Sequence, residues 1–416
     1  MPKSHKIIFC LIFITSLKTF GQLQNKVYRE YIKTAIVSKN LPKEIIVENQ
    51  LIDFNDQGKF FLSFDDLSLK YSSYYLRIIH CQSDWKPSQL SDIEYLSDFN
   101  DVPIRDNQNS MGTKIPYLHY QIPLPKVRIT GNFIAQVYLN RNKKDSIITK
   151  RFSVYQTELA ISAKINFARR NEFRLSHQAL ELSLSYPDHL LLSDDDHLKI
   201  VLHKNSQDQN YLNRLPKPQI NGFERKFNYV FFDNENIIPG GNEYRMIDMR
   251  STQQKLNFVA HIQALENYSI ITTYPETAQG NYTYSEKMDM NAGMVIENYE
   301  NPENNLLADY VYCQFIFKSR KFEDEKIYLS IGNHSFQKVE DSIMDYDEKS
   351  ESYQKKILLK QGIYNYQYLS NNLLNHSLEG NYSQTENQYD LLVYFRKPGD
   401  RFDSIIGYKR INYPNR

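Results

Sequence analysis

The strongest constraint on this chain is a two-residue alternation of apolar and polar side chains that recurs along it. Phe133, Ala135, Val137 and Leu139 alternate with Asn132, Gln136 and Tyr138. Leu180, Leu182, Leu184 and Tyr186 alternate with Glu181, Ser183 and Ser185, and Phe60, Leu62 and Phe64 flank Phe61 and Ser63. Successive side chains of a strand point to opposite faces, so this period predicts half-buried strands. The 32 tyrosines and 23 phenylalanines suit the same reading, because half-buried rings pack well across strands. No amphipathic helix of more than three turns is predicted, and a parallel α/β sheet needs long helices between its strands. The expected fold class is all-β, built as tandem sandwich modules. Five of the fourteen glycines precede asparagine, at Gly131, Gly241, Gly280, Gly332 and Gly380, a pairing suited to positive φ in tight turns or bulges.

The start of the chain reads differently. Lys3 and Lys6, an apolar run from Ile7 to Ile14, then small residues at Thr19 and Gly21 follow the order of a secretory signal peptide. Residues 1–21 are expected to be removed between Gly21 and Gln22. Cys10 follows Phe9 in mid-run, which is no place for a lipid-acceptor cysteine. No later run reaches the roughly 18 apolar residues of a spanning helix, so the mature chain is expected to be soluble, without direct membrane insertion. Fifty basic residues face 49 acidic ones with no basic stripe, which points away from nucleic acid.

A length of 416 residues supports more than one core. Strand signals lapse after "RFSVYQTELA", near Tyr155, and in "ENYENPENNLLADY", near Leu306. The expected division is signal 1–21 and three β modules at 22–155, 156–305 and 306–416. Cys81 and Cys313 then fall in different modules and are expected to be buried free thiols. In the last module "DYVYCQFIF", "EKIYLSIGNHS", "YQKKILLKQGIYNYQYL" and "NQYDLLVYFRKPG" are strand-like runs at the short spacing of a small sandwich.

Several constellations invite a chemical reading. "HCQSDW" sets His80, Cys81 and Asp84 beside Trp85, the only tryptophan. Zinc would need further ligands at CxxC or HExxH spacing, and the chain has neither. A cysteine nucleophile would need its base on the same face, whereas adjacent strand residues point apart. Trp85 is expected to be a buried packing anchor, with its polar neighbours shaping a turn. Asp194, Asp195, Asp196 and His197 lack the glycine and distal glutamate of a calcium loop and are expected to form a solvated hairpin turn. "PGGNEYRMIDMRS" has no phosphate-cradling pattern and reads as a turn entering a strand, with Arg245 and Asp248 as a candidate surface ion pair. The Asn-x-Ser/Thr match at Asn281 has no weight without a eukaryotic secretory setting. No catalytic, cofactor-binding or metal-binding residue is assigned, and partner-binding residues are left unassigned.

"YYLRIIHCQSDWKPSQLSDIEYLSDFND", "YLHYQIPLP", "TGNFIAQVYLN" and "KRFSVYQ" resemble the N-terminal domain of the type IX secretion system plug protein family. "PGGNEYRMIDMRS", "DMNAGMVIENY", "ADYVYCQFIF", "KQGIYNYQYL" and "EGNYSQTENQYDLLVYFRKPGDRFDSIIGY" continue the resemblance in order. It implies immunoglobulin-like or early-set sandwiches and a non-enzymatic protein of the periplasm, peripheral to the outer membrane. Such a protein occludes the periplasmic opening of the type IX translocon barrel, is a monomer when free, and carries no cofactor. The last module also resembles early-set sandwiches that bind starch or glycogen, which implies a glycan-binding alternative. It contains no tryptophan for stacking a sugar, and Phe336 stands near where one is expected. Tyr364, Tyr366 and Tyr368 alternate and suit either an aromatic face or cross-strand packing.

Overall fold

Alternation becomes burial strand by strand. In His177–Ser185 the side chains of Leu180, Leu182 and Leu184 are buried while Glu181 between them is exposed. Gly131–Leu139 departs from the half-buried expectation, since residues 131–138 are all buried. It is an inner strand of its sheet, and its second face is also covered: Phe133, Ala135 and Val137 enter the core, and Asn132, behind them, accepts a hydrogen bond from the Tyr394 hydroxyl at 3.0 Å. The computed structural model describes residues 22–188, 190, 197–212, 214–280, 282–332, 339–372 and 376–414. The expected signal peptide, Asp194–Asp196, Asn281 and Phe336 lie outside them.

Among the described residues the strands form six sheets, which pair around three main cores. In the first unit a six-stranded sheet with Tyr74–Cys81, Gly131–Leu139 and Ser146–Tyr155 at its centre faces a four-stranded sheet in the order Ile32–Ser38, Phe61–Asp66, Leu118–Pro123, Asn107–Asn109. Leu62, Phe64, Tyr120, Leu76, Ile78, Phe133 and Phe152 fill the space between them. The third core lies between a sheet centred on Gly362–Ser370 and another centred on Tyr310–Lys318 and Ser352–Lys360.

The middle core takes strands from two distant parts of the chain. Ala160–Phe167, His177–Ser185 and Lys226–Tyr229 form one layer with two shorter strands, and the facing layer is Leu198–Lys204, Asn387–Phe395 and Ser404–Tyr413. The expected units 156–305 and 306–416 therefore do not coincide with the cores. Arg245–Asp248, Val259–Ala264, Ser269–Thr273 and Met294–Ile296 pack in the third core, and the last two strands return to the middle one. A pairing such as Ile200 with Val393 spans almost two hundred residues and leaves no local trace in sequence.

That returning sheet has two apolar faces. Ile200, Leu202, Leu391, Val393 and Ile406 fill the middle core, while Val201, Leu392, Tyr394 and Ile405 meet Leu51 and Tyr155 of the first unit. The Tyr155 and Tyr408 rings lie 4.4 Å apart.

Candidate functional site: the joints between the cores

Among the described residues no nucleophile sits with a base and an orienting partner in reach. What the structure concentrates instead is polar and aromatic side chains at the joints between units, and the "HCQSDW" stretch is one of them. His80 is buried among the rings of Tyr95, Phe133 and Phe402, with centroids 5.1–5.8 Å away, and neither ring nitrogen has a protein hydrogen-bond partner. Burial lowers its pKa to about 4, only partly opposed by Asp403, so the ring is neutral. Cys81 is fully buried, its Sγ lies 3.8 Å from the Ile79 carbonyl, and burial pushes the thiol up to about 12. Neither group is poised as a base or a thiolate. Cys313 is likewise buried and free, in the third core.

Trp85 corrects its expectation. It is half-buried rather than a core anchor, and it sits at φ 64°, where few bulky residues are found. The turn explains the backbone: the Trp85 amide donates to the Gln82 carbonyl at 2.9 Å, and the Gln82 amide to the Lys86 carbonyl at 2.8 Å. The indole takes the Arg151 guanidinium over its face at 4.4 Å, and Arg151 also pairs with Asp208 of the middle unit at 2.8 Å. Asp84 pairs with Lys86 at 2.7 Å.

Into this turn docks the hairpin that joins the last two strands. The Ser83 amide donates to Asp403 Oδ2 at 2.9 Å, Gln82 Nε2 to the Arg401 carbonyl at 2.8 Å, and the Ile405 amide to Thr130 Oγ1 at 3.1 Å. Gly131 lies at φ 144°, and a Cβ there would stand 2.8 Å from His80 Nε2 and 3.1 Å from the Asp403 carbonyl. Only glycine lets hairpin and imidazole approach so closely. The stretch that looked like chemistry is a socket.

A second joint holds the first unit to the third. Asp65, on Phe61–Asp66, accepts from Lys360 Nζ at 2.7 Å, from the Tyr310 hydroxyl at 2.6 Å, and contacts His119 Nδ1 at 2.7 Å. Burial alone would raise its pKa, but Lys360 and His119 outweigh burial and hold it at about 2. Lys360 Nζ also lies 4.1 Å from the Tyr117 ring centroid. The Tyr117 hydroxyl donates to the carbonyls of Asn305 and Ala308, and the Lys114 and Ile115 amides donate to Asp309. Sequence reasoning missed this cluster. Its available signal was a charge inside an apolar strand run, Asp65 after "FLSF" and Lys360 after "ILL".

Arg245 and Asp248 do not pair. Residues three apart on a strand face opposite ways, whereas Asp248 and Arg250 are two apart. Arg250 accordingly binds Asp248 at 2.7 Å and Glu297 at 2.6 Å. Arg245 is buried against Glu379 at 3.0 Å and Glu276 at 3.1 Å. Tyr366 and Tyr368 donate to Glu276 at 2.8 and 2.7 Å, and with Tyr364 they are buried. They form no exposed aromatic face. Other tyrosines do the same work, since a phenol buries a large ring while its hydroxyl satisfies a carboxylate, as Tyr74 does for Asp66 and Tyr408 for Asp390.

Comparison with known proteins bears on these joints. Residues 32–156 match the family model described as Type 9 secretion system plug protein 1st domain. Those residues are thus a first domain of the type IX secretion plug type. The plug domain supplies one side of both joints, with Asp65, Tyr117 and His119 toward the third core and His80, Thr130 and Asn132 toward the C-terminal hairpin. The chain is also similar along its length to a hypothetical protein from Parabacteroides merdae ATCC 43184, known from a crystal structure. The two are 28% identical with a TM-score of 0.82, over 94% of this chain and 100% of that one. No curated protein matches.

Proposed function

We propose that this plug-family protein is a non-enzymatic periplasmic body that closes the periplasmic opening of the type IX outer-membrane translocon barrel, held peripherally at that membrane. The observation that carries the reading is the plug-domain match at residues 32–156. The physical demand on a plug is stiffness, because a body made of loosely tethered modules would leave gaps in a wide opening. Three cores joined pairwise supply it: a shared sheet and a docked hairpin between first and middle, a buried ion pair between first and third, and Gln207 to Tyr244 and Asn387 to Gly240 between middle and third. Export by the expected signal peptide delivers the chain to the periplasm.

Deleting the gene in cells that carry the barrel should raise their sensitivity to large antibiotics normally excluded by the outer membrane, and re-expressing the chain should restore resistance. Unchanged sensitivity in the deletion strain would refute the plugging role.

A further inference from the structure

Two strands with unpaired edge positions line a single cleft. Ser352–Lys360 pairs along its whole length with Tyr310–Lys318 on one side, but on the other Asp345–Asp347 covers only Ser352–Gln354. Among the described residues no strand pairs with 355–360 on that side. The second edge is Ile32–Ser38, the outermost strand of its sheet, which among the described residues pairs only with Phe61–Asp66. Its ladder is broken between Lys33 and Ile36, leaving Thr34 and Ala35 without strand partners. Thr34 sits at φ 47°, a strained conformation for a β-branched residue.

Residues 32–36 and 355–360 line the same cleft, of about 490 Å³. The two strands come together at one end of it: the Thr34 hydroxyl meets the hydroxyl of Tyr310, the ladder partner of Lys360, at 2.5 Å, and Asp341, which precedes the strand Asp345–Asp347, is near enough to Lys33 to act on its charge. Exposed edges are normally blunted by proline, by charge or by cover, because bare backbone donors and acceptors recruit another strand. Among the described residues the devices here are a bulge and lysines. Five lysines and two acids line the cleft; Lys360 is committed to Asp65, while half-buried Lys33 and Lys355 and exposed Lys356 give the rim its charge. Ile32, Ile36 and Met294 supply an apolar wall.

We propose that this cleft takes an extended segment of the barrel that the plug seals, one with acidic and apolar side chains in alternation, which adds as a strand along residues 355–359. The assignment rests on the plug reading for the source of the segment and on the edge geometry for its form. Five strand residues span about 17 Å at about 3.4 Å each. The added backbone satisfies the edge, alternate carboxylates meet the lysine rim, and the side chains between them meet the apolar wall. Main-chain bonds hold the segment and the alternating side chains select it.

The test uses the mature full-length chain and a labelled, end-capped hexapeptide of alternating Glu and Val, followed by fluorescence anisotropy. Saturable binding is expected, at least tenfold weaker for the Lys and Val counterpart, and lost when alternate peptide nitrogens are methylated. Hydrogen exchange at residues 355–359 should slow on binding. Lys356→Glu, at an exposed position that leaves the core intact, should weaken binding at least tenfold. Absence of saturable binding, indifference to backbone methylation, or protection elsewhere in the chain would overturn the assignment. The assay contains no secretion component, so a negative result here leaves the permeability experiment standing, and a failed permeability experiment leaves peptide binding to stand by itself.

Discussion

Replacing Lys360 by methionine probes the joint between the first and third units at its most buried point. The side chains of Lys360 and Asp65 are 3% and 1% exposed, with their charged atoms 2.7 Å apart. At an effective dielectric of about 20, two unit charges at that distance attract by about 6 kcal/mol. Several kcal/mol of that merely offset the desolvation of each ion, so the intact pair contributes little net stability. The asymmetry appears when one partner is removed. Methionine fills the volume but leaves the Asp65 anion with only Tyr310 and His119 as donors, and an uncompensated buried charge costs about 3–5 kcal/mol. Urea unfolding of wild type, Lys360→Met, Asp65→Asn and the double variant closes a thermodynamic cycle. Trp85, the sole tryptophan, reports on the socket by fluorescence, while circular dichroism reports on all sheets. The single methionine variant should lose about 3–5 kcal/mol, and the double variant less than the sum of the singles by about 1–3 kcal/mol. A loss below about 1 kcal/mol for Lys360→Met, with no coupling, would refute the reasoning.

Other perturbations address the remaining joints. Gly131→Ala places a Cβ against His80 and the Asp403 carbonyl at positive φ and should cost about 1–3 kcal/mol; an unchanged melting temperature would show that the socket has slack. His80 refuses a proton in the folded state until about pH 4, whereas the unfolded chain accepts one below its ordinary 6.5. Its contribution therefore leaves stability untouched above pH 6.5 and lowers it by up to about 3 kcal/mol as pH falls to 4, and in His80→Phe, compared with wild type by urea titration across that range, this slope should vanish. Leu392→Ala removes a buried side chain that faces Leu51 and Tyr155 across the shared sheet, and should cost about 2–5 kcal/mol and speed limited proteolysis between first and middle units.

The all-β class was legible because a period of two survives without knowledge of the neighbours, as Leu180, Leu182 and Leu184 show. So was the burial of Cys81 and Cys313, which sit within apolar runs. Gly131, Gly241, Gly332 and Gly380 take the positive φ expected of the Gly-Asn pairs, while Gly280 is instead pressed against the backbone of His376 and Ser377. What was not legible depends on contacts between distant segments. The return of Asn387–Phe395 to the middle core, the meeting of Asp65 with Lys360 and the docking of Asp403 on Ser83 join residues roughly two to three hundred apart. Trp85 misled because its size argues for burial, whereas the turn at Gln82–Lys86 holds it at the rim beneath Arg151. Arg245 and Asp248 misled by nearness in sequence alone, although their three-residue spacing on a strand already set them on opposite faces.

The most direct measurement is recovery of the affinity-tagged chain from detergent-solubilised outer membranes, with mass spectrometric identification of what accompanies it. A plug seated in the barrel should bring the type IX translocon barrel with it in near-equal amount. Recovery of the chain with no such barrel, from membranes in which the barrel is abundant, would contradict the proposed role.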